Sequence, residues 1–131
     1  MQKVPPLMPK AKATDLTVHV EQSMSAGDYT VIDFIGELDK FGLDKVKDQL
    51  DSLIDTFDKQ SLVFNFARLD FINSESIGFL LTVHAHLLKK NKKLVLVNAP
   101  TNVKDVLDVI GMFKIIGYYD SVAHFEQSLK K

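Results

Sequence analysis

The chain has 131 residues, of which 46% are hydrophobic and 25% charged, as in an ordinary single globular domain. Its net charge is −1, so the basic excess that phosphate contacts demand is missing, and we expect no nucleic-acid partner. The chain has no cysteine, which excludes disulfides and thiolate chemistry.

The N-terminal segment differs from the rest of the chain. Residues 1–14 contain Pro5, Pro6 and Pro9 among few apolar residues, so we predict a disordered tail followed by a single domain over residues 15–131. No apolar run approaches the roughly 20 residues that a membrane span needs. We therefore expect a cytoplasmic protein without membrane insertion.

The first part of the domain is predicted to be a β-hairpin followed by a helix. Leu16, Val18 and Val20 alternate with polar residues, which is typical of a strand. A turn at residues 25–28 precedes a second strand at residues 29–35. Helical spacing begins near Lys40, with Asp39 as its candidate N-cap.

Strand and helix patterns then alternate to the C-terminus. Residues 61–66 and 94–97 are short apolar runs, as expected of buried strands. The remaining predicted elements are helices near residues 77–88, 101–110 and 121–129, and a short edge strand within residues 115–119. The order predicts an α/β fold with a mixed four- to five-stranded sheet, an N-terminal hairpin joined to parallel strands, and about four helices.

The most informative segment is the start of the predicted helix near residues 77–88, which is the second helix of the chain. Ser74 follows a buried strand and opens the helix, where free N–H groups and the helix dipole favour an anion. A phosphate on Ser74 would change the local charge by about −1.5 to −2 without refolding the helix. The alternative is that Asn73 and Ser74 are ordinary helix caps.

Three stretches together resemble the STAS family, and most of all its free-standing anti-sigma-factor antagonists. They are residues 36–39 (GELD), residues 71–78 (FINSESIG) and residues 111–116 (GMFKII). The resemblance runs from about Leu16 to the C-terminus, in the order and at the spacing of the family. It implies the STAS fold.

The resemblance also implies a function and a site. The family's phosphoacceptor serine corresponds to Ser74, with Ser76 as a second candidate, and its GELD turn, here with Glu37 and Asp39, borders the partner surface. The implied partners are an anti-sigma factor that is also a serine kinase of the histidine-kinase-like ATPase type, and a serine phosphatase. The implied protein is a non-enzymatic regulator of transcription that needs no cofactor and no metal.

The chain departs from the family within the central motif. Where the family has Asp-Ser-Ser-Gly, this chain has Asn73, Ser74, Glu75 and Ser76. Glu75 places a fixed negative charge beside the acceptor, and Ser76 adds a side chain where the family has none. The sequence leaves open whether these changes abolish phosphorylation or only retune it.

The absence of charged residues along the second helix also predicts a partner surface. Between Ser76 and Leu88 the second helix has no Asp, Glu, Lys or Arg, which is unusual for a helix facing water. We predict that Ile77, Leu80, Leu81, His84 and Leu88 face inward. Phe79 and Val83 lie off that stripe and are predicted, with Glu37, Asp39, Asn73, Ser74 and Glu75, to contact a protein partner.

Two other hypotheses remain open from the sequence. A STAS-like docking or scaffold subunit of another signalling or transport complex would share the fold but would never be phosphorylated. A hydrolase that uses Ser74 would need a base and an orienting acid nearby, and no sequence motif supplies them. We therefore expect a binding module rather than an enzyme.

Overall fold

The computed structural model describes residues 19–38 and 40–130. The five strands are β1 (His19–Ala26), β2 (Tyr29–Leu38), β3 (Ser61–Ile72), β4 (Lys93–Val97) and β5 (Gly117–Tyr119). The four helices are α1 (Lys40–Asp55), α2 (Ser74–Lys89), α3 (Thr101–Val109) and α4 (Val122–Leu129), and a 3-10 turn spans Met112–Lys114. The predicted tail, the start of the first predicted strand and Asp39 lie outside the described residues.

The strands form one sheet in the order β1-β2-β3-β4-β5. β1 pairs antiparallel with β2, whereas β2 through β5 run parallel. Each parallel connection passes through one helix, as right-handed crossovers require. The predicted α/β class, the hairpin joined to parallel strands, and the four helices are confirmed.

Three predicted strand boundaries were wrong. β2 continues from Ile35 to Leu38, so most of the predicted GELD turn is strand. β1 continues to Ala26, so the hairpin turn is only Gly27 and Asp28, and Gly27 has a φ of 52° that suits glycine. β3 continues from Phe66 to Ile72, because its second half still pairs with β2. Polar residues interrupt the apolar run there, since that part of the strand is half exposed.

The helices lie on opposite sides of the sheet. Helices α1, α2 and α3 share one core with the inward residues of the strands, including Phe34, Phe64 and Leu96. α4 packs on the other face, where Phe125 lies edge-on between the rings of Tyr29 and Tyr119. The sheet is therefore covered by three helices on one side and by one short helix on the other.

Helix ends are fixed by local chemistry. Gly111 follows the C-cap Ile110 of α3, and its φ of 78° is the left-handed conformation that glycine adopts just after a helix C-terminus, as predicted. Ser121 caps α4 by accepting a hydrogen bond from the His124 amide at 3.0 Å. Of the helices described, none is long and apolar enough to cross a membrane.

Candidate functional site

The ends of β2 and β3 bring two of the predicted site segments together. Glu37 is paired with Phe71, and Leu38 with Ile72, so the GELD turn lies directly beside the approach to Ser74. The pairing register shifts at Gly36, whose φ of 109° only glycine adopts without strain. Glu37 is half buried at this edge.

Asn73 caps helix α2. Its Oδ1 accepts a hydrogen bond from the Ser76 amide at 3.0 Å, and its own amide is 3.4 Å from Ser76 Oγ, which completes a capping box. The backbone of Asn73 is extended, with φ −121° and ψ −178°, so the helix begins at Ser74. Asn73 therefore holds the helix end, and Ser74 is the first helical residue.

Ser76 is a structural residue. Its side chain is 0% exposed, and its Oγ donates to the Leu38 carbonyl and lies 2.7 Å from Asn73 Oδ1. The hydroxyl thus ties the start of α2 to the end of β2. A kinase cannot reach it without unfolding the helix end, so the prediction of Ser76 as a second phosphoacceptor was wrong.

Ser74 and Glu75 are both exposed on the first turn of α2. Within the described chain, the Ser74 hydroxyl makes no hydrogen bond, and the backbone amides of Ser74 and Glu75 have no acceptor. Such free amides at a helix N-terminus attract anions. The Glu75 carboxylate already contributes one negative charge there.

A shallow cleft of about 300 Å³ runs beside Glu75, between α1 and α2. Leu43 and Phe79 contribute apolar surface to it, and Asp44, Lys47 and Glu75 contribute charges. It is bordered by both helices, so any protein that contacts Ser74 from this side also meets α1.

The buried face of α2 differs from the predicted one. Its buried residues are Ser76, Phe79, Leu80, Val83 and Leu87. Val83 is only 2% exposed and packs in the core, so the prediction that it contacts a partner was wrong. Phe79, at 9% exposed, also packs in the core and reaches the surface where it lines the cleft beside Glu75. Leu81 and Leu88, predicted to face inward, are instead exposed.

One exposed aromatic residue was missed by the sequence reasoning. Phe71 is 43% exposed beside Glu37, three residues before Ser74, while its neighbour Ile72 is buried. An exposed phenylalanine next to a helix N-terminus offers apolar contact area to a protein partner. Two register shifts between β2 and β3 break the strict alternation in this half of β3, so Leu69 and Ile72 are buried while Asp70 and Phe71 are exposed.

A serine nucleophile needs a base within hydrogen-bond reach of its hydroxyl. Among the described hydrogen bonds, none joins Ser74 to a histidine, and His84 and His86 lie in the last three turns of α2. In residues 19–38 and 40–130, no three His, Asp or Glu side chains form a group that could hold a metal ion. Within the described residues, the site consists of a hydroxyl and two backbone amides without partners, and an exposed carboxylate.

A surface of this kind, on a mixed sheet with its helices mainly on one side, is that of a STAS domain. The STAS domain family model matches residues 18–125, and the chain belongs to this family. The GELD and FINSESIG segments that carried the resemblance fall within the match.

Individual relatives agree with this assignment. The chain is 28% identical over 91 residues to an anti-sigma F factor antagonist of Paenibacillus polymyxa, covering 70% of this chain and 78% of that one. Its fold matches solved structures of the anti-sigma factor antagonist SpoIIAA. The unphosphorylated form gives a TM-score of 0.71 at 19% identity, with 86% of this chain and 98% of that chain covered. The phosphorylated Bacillus form gives 0.64 at 19% identity, with 84% and 99% covered. This chain is thus an antagonist-like STAS domain.

Proposed function

We propose that this protein is a partner-switching regulator controlled by phosphorylation of Ser74. Without phosphate it binds an anti-sigma factor that is also an ATP-dependent serine kinase of the histidine-kinase-like type, and thereby frees a sigma factor. Phosphorylation ends that binding, and a serine phosphatase restores it. The exposed Ser74 hydroxyl at the start of α2, which makes no hydrogen bond to any residue that the structure describes, carries the proposal.

The surroundings of Ser74 suit a reversible charge switch. The phosphate would lie next to the free amides of the first turn, which tolerate added negative charge. The core behind it is closed by Ser76 and Ile72, both buried, so the added group changes the surface without changing the packing. Together with Glu75 the helix end would then carry a charge of about −2.5 to −3.

The proposed partner surface surrounds this serine. Phe71 and Glu37 lie at the ends of two adjacent strands, and Glu75 lies on the helix that follows. A kinase must approach Ser74 over these side chains to reach its hydroxyl. The same contacts would serve the bound, unphosphorylated complex, so one surface both recruits the kinase and is modified by it.

Phosphate mapping tests the switch directly. The protein is purified from its own host, and its intact mass is compared with those of Ser74→Ala and Ser52→Ala variants, the latter changing an exposed serine on α1. We expect one phosphate, mapped to Ser74, that is lost only in Ser74→Ala. A Ser74→Asp variant should bind the kinase at least about tenfold more weakly than the unmodified protein.

A second function is favoured by one residue. Glu75 is exposed beside Ser74 and supplies a permanent negative charge. If no phosphate appears on Ser74, even after incubation with ATP and the kinases of the host lysate, the switch is refuted. The protein is then a docking module whose partner reads the fixed charge of Glu75.

A further inference from the structure

The flanks of α2 and α3 that face each other are apolar. His86 Nε2 lies 3.9 Å from Asp55 Oδ1 of α1, so this flank of α2 faces α1. On the opposite flank, helical spacing places Ile77, Leu81, His84 and Leu88 toward α3.

A side-chain contact also shows which way helix α3 is oriented. Lys104 Nζ lies 5.3 Å above the ring of Tyr118 in β5, so this flank of α3 faces the sheet edge. Its other flank, with Val106 and Ile110, faces α2. These apolar flanks therefore lie side by side on the same face of the sheet.

Much of this apolar surface is open to solvent. Its exposed residues define what we call the α2–α3 face: Leu81, Leu88, Val106, Val109 and Ile110. Val109 is 87% exposed, which is extreme for a large apolar side chain. Contiguous exposed apolar surface of this kind marks an interaction site.

We propose that the α2–α3 face binds a second copy of this chain. Its charges allow two copies to pair: Lys89 is exposed at the end of α2, and Asp105 is exposed on the outward side of α3. Neither forms an ion pair within the part of the chain that the structure describes. A two-fold axis parallel to the two helices sets α2 of each copy over α3 of the other, and it brings each Lys89 toward Asp105 of the second copy.

The size of the face predicts a weak dimer. The 16 residues of α2 span about 24 Å, and two adjacent helices are about 20 Å wide, so the face covers at most roughly 500 Å². Stable dimers bury about 800 Å² or more on each partner. The association should therefore depend on concentration and be reversible.

Sedimentation velocity over a range from low to several hundred micromolar tests this proposal. We expect a monomer–dimer equilibrium that shifts to monomer in Val109→Glu and is unchanged in Leu129→Glu. The control alters an exposed leucine on α4, on the other side of the sheet. Circular dichroism verifies that both variants are folded, which is expected because both side chains are exposed. A wild-type protein that stays monomeric throughout, or a dimer that Val109→Glu leaves intact, overturns the proposal.

Charge reversal tests the arrangement of the two copies. Lys89→Glu alone and Asp105→Lys alone should each be monomeric, because like charges then meet across the interface. Mixing these two variants should restore a mixed dimer, since each interface again pairs opposite charges. If each variant dimerises by itself as the wild type does, the proposed pairing is wrong.

Discussion

Three consecutive side chains at the start of α2 differ sharply in their surroundings. Ser74 and Glu75 are exposed, whereas Ser76 is buried and bonded to the Leu38 carbonyl. The first turn of a helix places successive side chains about 100° apart, so only one of the three points at the sheet. The surface that a partner meets is therefore set by residues 74 and 75, and the position of the helix by residue 76.

Substitution of the two serines separates these roles. Ser76→Ala leaves the buried Leu38 carbonyl without its donor and should lower the free energy of unfolding by about 1–3 kcal/mol. Ser74→Ala removes an unbonded hydroxyl and should change it by less than about 0.5 kcal/mol. Equilibrium unfolding in urea, followed by circular dichroism, measures both. Equal stabilities of the two variants would show that the Ser76 hydroxyl does not tether the helix.

At the scale of elements, α4 is held to the sheet by a small aromatic cluster. Phe125 packs between Tyr29 and Tyr119, and the Tyr29 hydroxyl donates to the Glu126 carboxylate. Burial, followed by the hydrogen bond and the negative charge of Glu126, raises the pKa of Tyr29 to about 12 from 10.0. The attachment of this eight-residue helix is thus sensitive to alkali.

The stability of the fold should fall above pH 10 because of Tyr29. The folded protein holds this proton up to a pH of about 12, whereas the unfolded chain releases it near 10.0, so the contribution is complete below pH 10 and is lost as the pH rises to 12. The loss should be on the order of 1 kcal/mol, because the hydroxyl borders an open cleft and is partly screened. Urea unfolding across this range should show the decline in wild type and Tyr119→Phe but not in Tyr29→Phe. A decline of the same size in Tyr29→Phe would rule out this assignment.

For the molecule as a whole, stability should be greatest at the centre of the sheet. β3 is 12 residues long and pairs on both sides, whereas β5 has three residues at one edge. Elements with few buried contacts open first. The edge strand β5 and helix α4 therefore form the weakest part of the described fold.

Hydrogen exchange should resolve this difference. Amides of β3 between Leu62 and Phe66 should exchange at least about a hundredfold more slowly than those of β5 and α4, a gap of about 2.8 kcal/mol in opening free energy. Exchange monitored by mass spectrometry of proteolytic fragments measures it at a single pH. Equal protection in both regions would mean that the molecule opens as one cooperative unit.

The sequence predicted the architecture of the fold more completely than it predicted the site. Strand and helix periods, with the GELD and FINSESIG segments, were enough for the fold, because period and order determine how the elements connect. The buried face of α2 was mispredicted because the helix is apolar on two stripes, and no charged residue marks the outward one. The role of Ser76 could not be predicted, since its acceptor lies 38 residues earlier in the chain.

The contrast between residues 74–75 and residue 76 also bears on how such proteins diverge. Because the fold does not depend on the side chain at position 75, duplicated copies can accumulate changes there without losing stability. Each change alters the charge beside Ser74, so under the proposed switch related proteins in one cell would be kept apart by substitutions at a single position. Residue 76 has no such freedom, because its buried hydroxyl is bonded to the Leu38 carbonyl.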